Sequence, residues 1–221
     1  MEQEDEQRDH GQMTHHDTEI GINGNPLRRS FLPLISELDT AADLLALAVD
    51  ALVAGERKAA ERHIIAANLP PLHEYALRIM GRTDAAVHGE WAFKNQSVPT
   101  IPKTERAAQR MPSKRVKMGV YSRDGWRCRS CGIRVVSDEA IKWLASILGS
   151  KAPWGQSAIK LGIVHGAFRT LCVSLDHILP HSRGGNNSPE NLVTACYPCQ
   201  FGRSSWTLEE VEFENPFDRP P

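Results

Sequence analysis

The 221-residue chain is 41% hydrophobic and 24% charged, enough apolar content for a packed core in one medium domain or two small ones. No apolar run approaches the roughly 18 residues that a membrane-spanning helix needs, so no membrane association is expected. The opening residues Met1 to Asp9 are acidic and polar rather than a secretory leader. A cytoplasmic setting is therefore expected, where paired cysteines point to metal before disulfide.

The net charge of -1 conceals an uneven distribution. Residues 1–30 hold seven acids and three bases, and from Glu209 onward there are five acids and one arginine. Between them, residues 103–134 carry ten bases against two acids. Such a block suits a phosphate backbone, with a solvated linker as the plainer alternative.

In chain order, residues 1–30 lack apolar periodicity and read as a disordered acidic segment. His10, His15 and His16 lie there with no further ligand nearby. Residues 31–95 form a helical region of unassigned role. Leu38, Ala42, Leu45, Val49 and Leu52 fall on one helical face. Gly55 stops that helix, and Glu56 to Ala67 makes a second. Leu69-Pro70-Pro71 then breaks the chain before a third helix, Leu72 to Met80, capped by Gly81. This stripe reads as core, and His63, His73 and His88 as ordinary histidines. Residues 96–116, with Pro99, Pro102 and Pro112 among charges, read as a basic linker.

A different pattern begins at 117. Short segments are punctuated by Asp124-Gly125, Cys131-Gly132 and Gly184-Gly185. One helix is expected from Asp138 to Leu148, with Ser137 as its N-cap, Gly149 after its end, and Ile141, Leu144 and Leu148 as its apolar face. Thr170 to Ile178 reads as a strand, with Cys172 as a core residue within it. Residues 208–221 read as an acidic tail.

The strongest motif is a pair of knuckles, Cys128-x-x-Cys131 and Cys196-x-x-Cys199, separated by 64 residues. Each CxxC turn points two thiolates at one tetrahedral ion, and two turns complete its shell, so one structural Zn2+ is expected. Gly132 permits the tight backbone after the first knuckle. The interval exceeds usual zinc-ribbon spacing and must hold an inserted element.

Within that interval lies Asp176-His177-Ile178-Leu179-Pro180-His181-Ser182-Arg183-Gly184-Gly185, leading through Asn191-Leu192 into the second knuckle. Pro180 and the glycine pair supply turn chemistry. Adjacent Asp and His at a strand end point to opposite faces unless a bend brings both to one site.

Together with Arg123-Asp124-Gly125-Trp126-Arg127-Cys128, these residues resemble the HNH nuclease family, also called the ββα-metal fold, in its four-cysteine zinc subtype. The resemblance covers roughly residues 117–207. It implies an α+β chain with a C-terminal ββα-metal module and a structural zinc, preceded by a small all-α region. It implies DNA as partner and a second cation, Mg2+ or another divalent ion, for catalysis. His177 would be the general base, and Asp176 would coordinate the cation. Asn191 would brace the loop and help to hold His177. Arg203, with Lys117, Arg123 and Arg127 of the basic block, would contact the DNA backbone.

Two departures stand out. The residue after the last cysteine is usually His or Asn in the family and helps hold the catalytic metal; here it is Gln200, whose amide oxygen can coordinate but sits one methylene further out. And 44 residues separate Cys131 from Asp176, more than a minimal module has. The helix at 138–148 and the segment Trp154 to His165 account for that length, with His165 read as structural. His181 lies near the proposed site, where a phosphate contact is open to it.

A working endonuclease is the leading reading. Gln200 motivates an alternative, a catalytically weak or inactive zinc-stabilised DNA-binding module. A zinc-stabilised protein-interaction module is the third. No motif specifies a DNA sequence, and the oligomeric state is open.

Overall fold

A computed structural model describes residues 33–80, 97–155, 157–158 and 162–220. The expectations for residues 1–30, His88 and Gly81 lie outside these residues.

Three helices come first: α1 (Glu37–Val53), α2 (Arg57–Ala66) and α3 (Pro70–Met80). Leu38, Ala41, Ala42, Leu45, Ala48 and Ala51 form the buried stripe of α1. Val49 and Leu52, expected on that stripe, flank it half-buried. Gly55 ends the first hairpin arm with a φ of 79°, a value that favours glycine. Pro70 and Pro71 do not merely separate α2 from α3; they start α3. Proline tolerates a helix's first turn because its missing N–H would have no intrahelical partner there.

The next elements are α4 (Lys114–Arg123), α5 (Asp138–Leu148), α6 (Gly166–Leu171), β1 (Val173–His177), β2 (Leu192–Cys196) and α7 (Tyr197–Arg203). The Ser113 and Ser137 hydroxyls accept from Val116 N and Ala140 N and cap α4 and α5. The strand expected over Thr170–Ile178 is a helix up to Leu171 and a strand only from Val173. Alternation did not reveal α6, because Gly166, Ala167, Phe168, Thr170 and Leu171 are all buried and leave no polar face. Cys172 sits at the junction, pairing with Val136 in an isolated parallel bridge. Burial pushes its thiol up to about 12, which suits a core residue.

β1 and β2 are antiparallel, with Val173 opposite Cys196 and His177 opposite Leu192. This register puts the second knuckle at one end of the ribbon and Asp176-His177 at the other. α7 leaves Cys196 and packs back along β1. Among the described residues, this two-stranded ribbon is the only sheet.

The helical region and the C-terminal part share one buried cluster, running from Leu38, Leu45 and Ile64 through Ile141, Leu144 and Phe168 to Leu192 and Trp206. α1 and α3 pack on α6, and α3 on α7. Polar links cross the same junction. The Asn68 side-chain oxygen accepts from Gly166 N at 2.7 Å, and Arg134 pairs with Asp43 at 2.7 Å. Buried His165 donates from Nε2 to Ile64 O at 2.9 Å and stacks on Phe168. The tail is also attached: Trp206, Leu208 and Val211 are buried, and Arg129 donates to the carbonyls of Pro216 and Arg219.

Burial pushes the His165 imidazole down to about 4, from an ordinary value of 6.5. Above pH 6.5 His165 is neutral in both folded and unfolded chains and gives no pH dependence. Between 6.5 and 4 only the unfolded chain takes up the proton, so stability falls with falling pH, by about 3 kcal/mol at the acid end. Chemical unfolding measured from pH 7 to 4 should reveal this loss, reduced in His165→Gln. An equal loss in both proteins would contradict it.

Candidate metal centre and adjoining cleft

The first knuckle is built by a short hairpin. Arg127 and Arg134 form an antiparallel bridge, Cys128 N donates to Ile133 O, and Gly132 N donates to Cys128 O with a φ of 83°. The second knuckle is a helix start. Cys196 is the N-cap of α7, its Sγ accepting from Cys199 N at 3.4 Å, with Pro198 in the first turn. Arg129 N donates to Thr194 O and joins the knuckles through backbone.

All four cysteines are buried, and their Sγ atoms lie within 4.8 Å of one another, Cys131 and Cys196 at 3.8 Å. A tetrahedral zinc with bonds of about 2.3 Å requires sulfur–sulfur edges of about 3.8 Å. The donor set fits that ion. Against the cost of burial, the surrounding cysteine thiols hold the Cys128 thiol well below its ordinary range, so thiolate character is already favoured. Cys172 is not part of the cluster.

Asp124 ties this centre to the ribbon. It is 1% exposed, accepts both Arg123 Nε at 2.8 Å and Nη2 at 3.0 Å, and accepts Thr194 N at 2.8 Å. Arg123 also donates to Pro189 O and Leu192 O, and its guanidinium lies over the Phe217 ring. Arg123 thus holds the fold together while remaining exposed at the surface. Arg127 is exposed but donates to Gly132 O, and Lys117 is half-buried on α4.

Along β1, a cleft of about 510 Å3 is lined by Ser174, Leu175, Asp176, His177, His181 and Gln200, with Ser204 and Ser205 beyond α7. Asp176 and His177 are adjacent, yet both line it. Both come at the end of β1, where the chain bends at Ile178. Asn191 fastens that turn: its Oδ1 accepts Leu179 N, and its Nδ2 donates to Leu179 O and Asn186 O. Gly185 is required, since a Cβ there would overlap the Leu179 carbonyl oxygen.

Arg203 departs from expectation. It is 3% exposed and does not line the cleft. Its Nε donates to Asp176 Oδ2 at 2.9 Å and its Nη2 to Asp176 Oδ1 at 2.6 Å. It also donates to the carbonyls of His177, Ile178 and Trp206. A bidentate pair of this kind fixes the carboxylate and compensates its buried charge. Arg203 therefore orients Asp176 from beneath the cleft lining.

The imidazole of His177 is held by Asn187, not Asn191: His177 Nε2 lies 2.9 Å from Asn187 Oδ1. Burial lowers the His177 pKa from its ordinary value, opposed by Asn187 and Asp176. The neutral, proton-accepting form therefore prevails at neutral pH.

The basic segment expected to be a linker is the far wall of this cleft. Lys103, Arg106 and Arg110 line it with Met111. Ile101 N donates to Ser182 O at 3.0 Å, His181 Nε2 to Ala107 O at 2.8 Å, and Asn187 Nδ2 to Gln109 O at 2.6 Å. Sequence reasoning missed Asn187 and this wall. The cation cluster was its only sequence signal, and the prolines made it read as a spacer.

Residues 167–204, from α6 through both strands to α7, match the family model described as HNH endonuclease. This part of the chain is an HNH region, and the four-cysteine cluster fits the zinc-binding subtype of that family. The match points to a nuclease-type or DNA-binding function. Comparisons with curated proteins and with solved structures gave no match.

Replacing Cys196 with Ser should remove both a ligand and the cap of α7. Metal analysis should find one zinc per wild-type chain and little in the variant, with the C-terminal unfolding transition lost, because a structural zinc supplies much of a small module's folding energy. Unchanged zinc content and an unchanged melting curve would contradict this.

Proposed function

We propose that this protein is a metal-dependent endonuclease that hydrolyses DNA phosphodiester bonds. The observation that carries the reading is the convergence of Asp176, His177 and Gln200 on one cleft whose opposite wall bears Lys103, Arg106 and Arg110. Among the described residues, the only carboxylate lining this cleft is paired with Arg203, so the lining favours an anion.

His177 acts as general base, taking a proton from the attacking water; positioned proton transfer of this kind contributes roughly 10²–10⁴-fold. Lys103, Arg106 and Arg110 attract the phosphate backbone without reading sequence. The oxygen donors for a divalent cation are Asp176 and Gln200. Magnesium commonly takes one or two carboxylates and completes its shell with water and substrate phosphate, which suits so sparse a donor set. When bound, such a cation stabilises charge on the scissile phosphate and leaving oxygen. The zinc is structural.

A second reading, a DNA-binding module with little or no catalysis, draws on the engagement of both Asp176 oxygens by Arg203 and on the longer Gln200 side chain.

Plasmid cleavage across a magnesium and manganese titration separates the two readings. The enzyme reading expects nicking or linearisation by wild type and a loss of at least about a hundredfold in His177→Ala. Plasmid left intact by both proteins, though still bound, would establish the second reading instead.

A further inference from the structure

The hydrogen-bond chain from the basic wall to His177 has a directional logic. The backbone carbonyl of Gln109 can only accept, so the Asn187 atom 2.6 Å from it must be the amide nitrogen. The side-chain oxygen of Asn187 then faces His177 Nε2 at 2.9 Å. That oxygen also only accepts, so Nε2 must carry the proton. Nδ1 is left with the free lone pair, and no described residue bonds to it. A backbone carbonyl six residues beyond Lys103 thereby selects the imidazole tautomer across the cleft.

We infer that Asn187 is a positioning residue that fixes the orientation and Nε2–H tautomer of His177, and that the segment Ile101–Met111 holds Asn187 in that role. Independent ties keep the segment in register. Ile101 N is bonded to Ser182 O, and the Arg106 guanidinium closes a turn on Ile101 O through Nε at 3.0 Å and Nη2 at 2.8 Å. His181 reaches Ala107 O. The same segment carries Lys103 and Arg110, whose exposed side chains line the cleft. One stretch of chain thus both borders the substrate cleft and orients the imidazole within it. Asn191 has a separate task, closing the loop without touching His177.

The kinetic part of this inference rests on the nuclease reading; the tautomer part does not. The test uses the full-length, zinc-loaded protein with 15N-labelled histidine, the His177 signals being assigned by their loss in His177→Gln. Wild type should give the Nε2–H pattern at His177, with Nδ1 unprotonated. Asn187→Ala should give a mixture of tautomers and lower kcat by about tenfold or more with KM within about twofold. Asn187→Asp keeps an acceptor for Nε2–H and should restore the wild-type tautomer. Zinc content and melting curves establish that each variant is folded. An Nδ1–H pattern in wild type would overturn the inference without any variant. So would an Asn187→Ala protein with wild-type kcat, or one whose loss lies in KM alone. If wild type cleaves nothing, the nuclease reading fails, while the nitrogen signals still decide whether Asn187 sets the tautomer.

Discussion

The structure depends on four sulfur atoms brought to one point. Cys128 and Cys131 come from a hairpin, and Cys196 and Cys199 from a strand end and the helix that follows it. A ribbon of two five-residue strands cannot stand alone in water. Here one end is clamped by the cysteine cluster, and its faces are covered by helices from both halves of the chain. Because β2 runs from Leu192 to Cys196, the clamp at its end fixes the register that brings Asp176 and His177 opposite Val193 and Leu192. The cluster lies at the end of the ribbon away from Asp176 and His177, while Gln200, next to Cys199, lines the cleft.

Arginine does much of the remaining work, and mostly inside the fold. Arg123 joins α4 to Asp124 and β2, Arg203 joins α7 to Asp176, and Arg129 joins the first knuckle to the tail. Arg129 and Arg203 are buried and Arg123 is exposed, and each donates to carboxylate or carbonyl oxygens. Such a pair costs little while complete and is costly to break. The cations that line the cleft come from the segment before α4, outside the cysteine cluster. The HNH region therefore supplies Asp176, His177 and Gln200 to the cleft, and its N-terminal neighbour supplies the charge.

Much of this was legible in the sequence. The cysteine spacing specified the metal cluster, and Ser137 and Gly149 bounded α5, because caps and knuckles are local chemistry. The Asp176-His177 pair and Asn191 were legible as a motif. What the sequence hid was pairing over distance. Arg203 reads as an exposed helical base until the register of β1 against α7 sets it beside Asp176. Asn187 reads as a turn residue until its amide is found between Gln109 and His177. Residues 101–111 read as a linker because prolines and charges are the signature of one, although their backbone atoms bond to Ser182, His181 and Asn187 of the segment between β1 and β2. The separation of a helical region from the C-terminal module was likewise a reading of pattern; α1, α3 and α6 share one core.

On the proposed reading, a structural zinc holds a DNA-cleaving site together without taking part in the chemistry. The most direct measurement is cleavage of a defined duplex in excess magnesium, before zinc removal by a chelator, after it, and after zinc is restored. Activity should disappear with the zinc, stay absent when only magnesium is supplied, and return with zinc and the native fold. Full-rate cleavage by zinc-free protein, or no cleavage by the zinc-loaded protein with any divalent cation, would contradict the claim.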